Sequence, residues 1–399
     1  MNGPTGKSTG KSTGKPAGNT YARQALLPEG FRDQLAPRAE HEASLVRSLV
    51  DCFQSYGYDR VAPPVVEFEA SLLVGAGATR ANSMFRVMDP DTQNMMAVRA
   101  DMTVQISRLA ATRLSDAARP LRLGYSGNVL RTKGSQLRPT RQFVQAGIEL
   151  IGSTSLTAEF EVIKIAVESL SGTGIKSLSL DLTVAPLVHH LCDKHKILDQ
   201  QRAAVIEALN AKDSGALAAL AAAAKADFDQ LLAAAGPARD ALDALRSLEL
   251  AGSAGQLVAR LGRLVEMLEA QMPALPVTID PCESHGFEYK SGVGFGVFAK
   301  GNQSELGRGG RYLVVHPDGH SEEATGFSVY LDSLLDALPI PQKPEKLFLP
   351  MGTSDKEAAS FRAEGWRTIQ GLTEELDPSK EALRLGCSHV LLGGSAKPV

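Results

Sequence analysis

Alternating apolar and polar residues predict a core rich in β-strands. Segments with this two-residue period, in which neighbouring side chains point to opposite faces of a strand, occur at 94–103, 121–131, 142–152, 177–183, 285–300 and 306–315. A helix is predicted over 157–170, between two of these strands. Strands that follow one another with few helices between them favour antiparallel pairing. The pattern therefore predicts an α+β fold, with a mostly antiparallel sheet flanked by helices.

Helical periodicity marks the regions on either side of this sheet. Apolar positions recur at helical spacing over 37–56, Gly57 ends that helix, and residues 58–64 are extended. Residues 186–276 are rich in alanine and leucine with helical patterning, which indicates an inserted helical subdomain. After prolines at 339, 341 and 344, the segments 346–350, 366–370 and 389–392 are predicted strands that alternate with helices at 356–362 and 380–385. This alternation is typical of a small parallel α/β unit.

We therefore expect four parts in the chain. They are a disordered basic tail at 1–24, a core formed by 25–185 and 277–340, the helical insertion at 186–276, and the short α/β unit at 345–399. The tail repeats Gly-Lys-Ser-Thr at 6–9 and 10–13, but it lacks the first glycine of a phosphate-binding loop and has no strand in front of it. A tail of this composition is expected to be disordered.

Two predicted strands carry polar residues on one face. Within 142–152, Gln145 and Glu149 fall on the face opposite to the apolar residues. Within 98–103, Arg99, Asp101 and Thr103 share a face in the same way. A half-buried strand with solvent outside gives this pattern, and so does a binding site. Buried carboxylates and amides suit a ligand that offers N–H groups, and they select for a ligand that satisfies them.

Composition limits the classes of function. The 399 residues suffice for two or three domains, and a net charge of −3 with 22% charged residues excludes a global basic field for nucleic acid or a membrane surface. The four cysteines are far apart, without metal-binding spacing, so we predict free thiols in a reducing cytoplasm and no zinc site. No dinucleotide-binding fingerprint stands out, and neither a metal nor a cofactor is predicted. No membrane span is predicted, because no segment approaches about twenty uninterrupted apolar residues.

Residues 324–334, ATGFSVYLDSL, resemble a nucleotide-binding motif in which the residues that contact the nucleotide have been replaced. They are similar to motif 3 of the class II aminoacyl-tRNA synthetases, in the histidyl branch. Tyr330 stands where that family has the glycine that admits adenine, and Asp332 and Ser333 stand at its closing Glu-Arg pair. Serine lacks the fixed charge and planar donors with which arginine holds phosphate. The alternative is an amphipathic helix with a buried stripe of Phe327, Leu331, Leu334 and Leu335.

The same resemblance covers about residues 26–340. Residues 37–64 are similar to motif 1, which builds the dimer interface in that family. Residues 142–152 are similar to the return strand of motif 2. It implies a class II synthetase-like fold in which histidine is bound by Asp101, Thr103, Gln145, Glu149 and Tyr289. Candidate contacts to an anion or to a remnant of the substrate are Arg131, Lys133, His285 and Lys290. Lys133 replaces a glutamate of the synthetases, and His285 replaces their histidine-activating arginine. Residues 306–312 resemble the family's Gly-Gly-Arg-Tyr turn, for which we predict a structural role, as a turn between strands.

The segment 27–33, LPEGFRD, is similar to the branch of this family that serves histidine biosynthesis as the regulatory subunit of ATP phosphoribosyltransferase. This resemblance implies a protein without catalytic residues that forms a homodimer and joins a short catalytic subunit in a hetero-oligomer. It further implies histidine as the ligand and feedback regulator, and no tRNA partner. Histidine would bind the synthetase-like pocket, the contact with the catalytic subunit, or both. Two alternatives are a divergent histidyl-tRNA synthetase and a free-standing amino-acid-sensing protein.

Overall fold

The computed structural model describes residues 26–73, 82–134, 139–248, 250–284, 290–302 and 304–399, and of Lys290 it describes only the backbone. The strands are β1 (Asp59–Arg60), β2 (Val66–Phe68), β3 (Arg86–Met88), β4 (Met95–Val98), β5 (Leu121–Leu130), β6 (Gln142–Ile151), β7 (Leu178–Thr183), β8 (Gly236–Pro237), β9 (Val277–Asp280), β10 (Lys290–Ala299), β11 (Gly307–Val315), β12 (Ser321–Tyr330), β13 (Lys346–Leu349), β14 (Arg367–Gln370), β15 (His389–Leu392) and β16 (Ser395–Pro398). The α-helices are α1 (Arg38–Ser55), α2 (Glu69–Leu72), α3 (Thr103–Ala111), α4 (Leu156–Gly172), α5 (Pro186–Lys194), α6 (Asp199–Asn210), α7 (Ala222–Ala233), α8 (Ala238–Arg246), α9 (Gly252–Gln271), α10 (Leu331–Ala337), α11 (Asp355–Ala363) and α12 (Pro378–Arg384).

The described residues form two compact units. The larger unit contains residues up to 33 and residues 42–338, and the smaller one contains residues 34–41 and 339–399. A nine-stranded sheet in the larger unit has the order β1-β5-β6-β12-β11-β10-β7-β9-β8. Its central pairs are antiparallel, whereas β1–β5 and β7–β9 are parallel. The predicted fold class, a mostly antiparallel sheet flanked by helices, is therefore confirmed.

The two faces of this sheet bury different side chains. One face contributes Ala146, Ile148 and Leu150 of β6 to the main core, where they pack with α4 and with the helices α5–α9. The helix α4 begins at a serine cap, since the Ser155 hydroxyl accepts a hydrogen bond from the backbone N–H of Thr157. The opposite face of β6 carries Gln145, Gly147 and Glu149, and a second apolar cluster built on α3 lies on that side. The alternation predicted for 142–152 is confirmed.

Three sequence-based expectations for single elements are wrong. The strand predicted over 94–103 ends at Val98, and a helix begins at Thr103, where the Asp101 carboxylate accepts the backbone N–H of Thr103 at 2.8 Å. Residues 324–330 continue β12, so the amphipathic helix proposed for 324–334 is confined to 331–337. Residues 307–312 lie in β11, as the alternation over 306–315 predicted, and not in the turn between strands that the motif resemblance predicted. Residues 324–330 and residues 307–312 both lie in central strands, each of which pairs with a neighbouring strand on either side.

The smaller unit holds a separate four-stranded sheet in the order β14-β13-β15-β16. The strands β13, β14 and β15 are parallel, as the alternating pattern of strands and helices predicted, and β16 is an antiparallel edge strand that the pattern did not predict. Leu347, Phe348 and Leu349 of β13 are fully buried between the two helices of this unit. Across all described helices of the chain, none is long and apolar enough to span a bilayer.

Candidate functional site

Four of the predicted ligand-binding residues lie together in the larger unit. They are Asp101 and Thr103 at the start of α3, and Gln145 and Glu149 on β6. The strand β6 brings in its two residues because their positions alternate with the apolar core residues. The helix α3 packs against the same face, where its Ile106 and Ala110, with Met102 just before it, join the second apolar cluster. The polar groups are therefore enclosed between a sheet and a helix.

Glu149 is the centre of this arrangement. The side chain is 1% exposed, and its two carboxylate oxygens accept hydrogen bonds from the Tyr125 hydroxyl at 3.2 Å and the Tyr312 hydroxyl at 2.9 Å. Burial, together with the charge of Glu149, raises the pKa of both tyrosines well above the usual range. Both hydroxyls consequently stay protonated at physiological pH and remain donors to the carboxylate.

Gln145 links β6 to α3 and β12. Its amide oxygen accepts the backbone N–H of Met102 at 3.0 Å, and its amide nitrogen donates to the Ser328 hydroxyl at 2.8 Å. The Ser328 hydroxyl in turn lies 2.9 Å from the Tyr125 hydroxyl. Gln145 and Glu149 therefore belong to one buried hydrogen-bond network, in which each polar group fixes the orientation of the next.

Asp101 and Thr103 enter the network from the first turn of α3. The Thr103 hydroxyl lies 3.4 Å from the Tyr125 hydroxyl, while the half-buried Asp101 carboxylate accepts the backbone N–H of Thr103. A carboxylate at this end of a helix is stabilised by the helix dipole. Arg99 does not share their surface: its guanidinium donates to the carbonyls of Asn128 at 2.7 Å and Pro63 at 2.9 Å. The prediction that Arg99, Asp101 and Thr103 share a face is therefore wrong. Arg99 instead links β5 to the segment that follows β1.

Two glycines make room for the carboxylate and the tyrosine. Gly326 of β12 pairs with Glu149 in the sheet register, and a Cβ atom on Gly326 would overlap the Glu149 carboxylate. A Cβ atom on Gly147 would lie 2.6 Å from the Tyr125 hydroxyl. Any larger residue at either position would displace the network, since real Cβ atoms do not approach other atoms so closely.

The region that resembles a nucleotide site is filled by side chains. Tyr330, at the end of β12, is 3% exposed and packs edge-on against Phe143, with 5.9 Å between the ring centroids. The Arg131 guanidinium lies over both rings, at 4.9 Å from the centre of Phe143 and 6.0 Å from that of Tyr330. Asp332 and Ser333 are both buried in α10. The Tyr330 ring therefore occupies space that a glycine at this position would leave open.

Of the remaining predicted contacts, Arg131 and Lys133 have described side chains. Lys133 is exposed on the connection between β5 and β6. The predictions for His285 and Tyr289 lie outside the described residues, as does the side chain of Lys290. Among the residues that the structure describes, no group of three or more His, Cys, Asp or Glu side chains is placed to hold a metal ion.

Among the described residues, sequence reasoning missed three members of the network. Tyr125 carried no motif, Ser328 was considered only within the nucleotide-like segment, and Tyr312 was assigned a structural role. Tyr125 and Tyr312 reach Glu149 from 24 and 163 residues away in the sequence. Strand alternation could have indicated Tyr125. It lies in a predicted strand, and it pairs with Gly147 of β6 on the face that also carries Glu149.

The fold and this arrangement define a histidyl-tRNA synthetase-like class II protein, and a family model described as histidyl-tRNA synthetase matches residues 30–334. Two curated relatives are both named ATP phosphoribosyltransferase regulatory subunit. The one from Paramagnetospirillum magneticum is 49% identical over 93% of this chain and 97% of its own, and the one from Rhodospirillum centenum is 45% identical over 94% and 96%. A crystal structure from Bacillus halodurans is described as an ATP phosphoribosyltransferase regulatory subunit/histidyl-tRNA synthetase. It aligns with this chain with a TM-score of 0.79 and 25% sequence identity, and the alignment covers 92% of this chain and 97% of that chain. The chain belongs to the family of ATP phosphoribosyltransferase regulatory subunits.

Proposed function

We propose that this chain is a non-catalytic subunit that activates a short catalytic ATP phosphoribosyltransferase and transmits histidine feedback to it. In this role it acts as a homodimer within a hetero-oligomer and has no tRNA partner. Histidine binds between α3 and β6, where Glu149, Gln145, Thr103 and Asp101 supply the polar groups. Feedback requires that histidine and the catalytic subunit bind with coupled free energies, typically of about 1–3 kcal/mol.

The observation that carries the proposal is the contrast between the two halves of the site. The half around Glu149 keeps buried acceptors that suit an ammonium group and an imidazole N–H. The half that resembles a nucleotide site holds the Tyr330 ring against Phe143 instead. A protein that binds an amino acid without adenylating it needs the first half only.

The lack of catalytic activity in this proposal rests on particular side chains. Adenylation requires positive charge on the triphosphate, and arginine supplies it in a planar fork that serine cannot replace. Ser333 is buried in α10, and the Arg131 guanidinium stacks on Phe143 and Tyr330. These features support a regulatory role over that of a divergent histidyl-tRNA synthetase.

Reconstitution with a purified short catalytic subunit from the same organism tests the proposal. Formation of phosphoribosyl-ATP is measured with and without this chain, across a histidine titration. We expect activity to rise when the two proteins are mixed and to fall as histidine is added. Histidine-dependent ATP–pyrophosphate exchange by this chain alone is measured in parallel and is expected to be absent.

Each outcome separates the alternatives. Pyrophosphate exchange would establish a synthetase and refute the non-catalytic role. Histidine binding without any effect on the catalytic subunit would favour a free-standing amino-acid sensor. Activation without inhibition by histidine would retain the activating role and refute the feedback role.

A further inference from the structure

Arg99 is a buried cation with unused hydrogen-bond donors. It is 4% exposed. Of the N–H groups of its guanidinium, Nε donates to the Asn128 carbonyl, and Nη1 donates to the Pro63 carbonyl and, at 3.3 Å, to the Gln105 amide oxygen. Among the residues that the structure describes, the N–H groups of Nη2 have no hydrogen-bond partner. Because a charged donor without a partner is costly in a protein interior, Nη2 suits a hydrogen-bond acceptor from a ligand.

The positive charge of Arg99 is also poorly compensated. The groups that accept its hydrogen bonds are all uncharged oxygens. Burial lowers the pKa of Arg99, and the charge of Glu67 opposes this only in part. The Glu67 carboxylate is itself held by Arg108, at 2.6 Å and 2.9 Å. Since buried charges are normally paired, the acceptor that suits Nη2 is an anionic one.

Nη2 of Arg99 lies on the side of the sheet that carries the buried network. A Cβ atom on Gly127 of β5 would be 2.3 Å from Nη2, so this nitrogen occupies the space above that glycine. Gly127 alternates with Tyr125, whose hydroxyl reaches Glu149 on this side. Gly127 also pairs with Gln145 of β6. Nη2 therefore approaches the site from β5, beside Gln145.

Opposite charges thus lie toward the two ends of one site. Gln145 and Glu149 are on the same face of β6, about 13 Å apart along the strand. Hydrogen bonds through two hydroxyl groups connect the Gln145 amide to the Glu149 carboxylate. Arg99 lies at the Gln145 end. A free amino acid with N–H groups on its side chain matches this arrangement, because its carboxylate and its N–H donors are at different ends.

We propose that Nη2 of Arg99 binds the carboxylate of the ligand, so that the site takes a free amino acid and rejects derivatives without the carboxylate. The inference rests on the histidine binding in the proposed function. The histidine-activating arginine of the synthetases is replaced by His285 in this sequence, so the carboxylate needs another cation. Arginine provides N–H donors of fixed charge that suit a carboxylate.

Calorimetric titration of the full-length chain with histidine and with histidinol tests the proposal. Histidinol keeps the ammonium group and the imidazole, and a hydroxymethyl group replaces its carboxylate. The wild type is expected to bind histidinol about 10- to 150-fold more weakly than histidine, as for the loss of a hydrogen bond between charged groups. Arg99→Gln removes the charge, and Gly127→Ala displaces Nη2 without removing it. Both are expected to weaken histidine binding, to change histidinol binding little, and to bring the ratio of the two dissociation constants close to one.

Arg119→Gln is the matched control. Arg119 is also partly buried and donates to backbone carbonyls, those of Leu114 at 2.9 Å and Ala117 at 2.8 Å. Its guanidinium is paired with Glu322, at 2.8 Å. We expect this control to lower the free energy of unfolding in urea and to keep the wild-type ratio of dissociation constants. Urea unfolding establishes that each variant is folded before its titration.

Failure of this inference differs from failure of the proposed function. Equal affinity of the wild type for histidine and histidinol would overturn the inference, as would an unchanged ratio in folded Arg99→Gln or Gly127→Ala. A ratio that falls equally in Arg119→Gln would overturn it too, because the effect would not be specific to Arg99. A wild type that binds neither compound would refute histidine binding, and this inference with it. If the wild type discriminates through Arg99 but does not activate the catalytic subunit, the inference stands and the regulatory role fails.

Discussion

Replacing Glu149 with glutamine is expected to weaken histidine binding about 5- to 150-fold. The substitution keeps the size of the side chain and removes the negative charge from a position that is 1% exposed. A buried group that loses its charged hydrogen-bond partner loses about 1–3 kcal/mol, which corresponds to this range of affinities. The direction follows from chemistry, because the carboxylate accepts two N–H or O–H groups equally well, whereas the amide presents one acceptor and one donor.

The same change perturbs the protein's own network. Both tyrosine hydroxyls now donate to the carboxylate, at 3.2 Å from Tyr125 and 2.9 Å from Tyr312. In the variant, one hydroxyl faces an NH₂ group and must turn to accept from it. The free energy of unfolding is therefore expected to fall by about 1–3 kcal/mol. This loss is small enough for the folded variant to be purified and assayed.

Isothermal titration with histidine measures the effect, and Glu161→Gln is a matched control. Glu161 also accepts a tyrosine hydroxyl, from Tyr58 at 3.0 Å, and it is further held by Arg122 at 2.8 Å. It lies on α4, on the other side of the sheet from Glu149. We expect this control to lower stability and to leave histidine affinity unchanged.

A folded Glu149→Gln variant that binds histidine as tightly as the wild type would refute the reasoning. The regulatory site would then lie elsewhere, for example at the contact with the catalytic subunit. Equal loss of affinity in both variants would point instead to a general loosening of the core. Circular dichroism and urea unfolding of each protein distinguish these cases.

Three further predictions concern residues around the network. Gly326→Ala is expected to abolish histidine binding measured by calorimetry, because its Cβ would overlap the Glu149 carboxylate. The control Gly172→Ala is expected to bind histidine like the wild type, because no atom lies within 4 Å of its Cβ. Tyr330→Gly is expected to lower the free energy of unfolding in urea by about 3–5 kcal/mol, as for other large-to-small core changes. It is nevertheless expected to show no ATP–pyrophosphate exchange, since Ser333 still lacks charge, and exchange by this variant would refute that role for Ser333. The raised pKa of Tyr125 and Tyr312 predicts an alkaline loss of stability. Their contribution is fully present below the unfolded tyrosine pKa of about 10 and is lost as pH rises beyond it, so urea unfolding from pH 8 to 12 should show a decline that Tyr125→Phe reduces.

The sheet could be predicted from alternation wherever a strand buries one face. The strand β6 is the clearest case, because its apolar residues face the main core and its polar residues face α3. The strand β12 could not be predicted in the same way. Its sequence ends in small and apolar residues that run directly into the helix α10, and it is a strand because β6 and β11 pair with it on both sides. Long-range pairing of this kind overrides local preference.

The start of α3 shows a signal that was present and misinterpreted. Asp101 two residues before the helical pattern that begins at Thr103 is typical of a helix N-terminus, and its carboxylate does accept the Thr103 N–H. Alternation of Arg99, Asp101 and Thr103 suggested a strand instead. The tyrosine donors were not predictable, because no local pattern specifies which hydroxyl reaches a carboxylate across a sheet. Only the register of β5 and β11 against their neighbours places Tyr125 and Tyr312 there.

The buried carboxylate itself argues for a ligand. Removing water from Glu149 costs several kcal/mol, and the hydrogen bonds from the Tyr125 and Tyr312 hydroxyls offset part of that cost. Replacement of a buried charged cluster by apolar side chains of similar volume is often neutral or stabilising, so stability alone does not explain why the core contains one. Gly147 and Gly326 add to this cost, since both leave out side chains to admit the network. A binding site for a small cationic or N–H-bearing ligand accounts for all three features, and histidine offers both kinds of group.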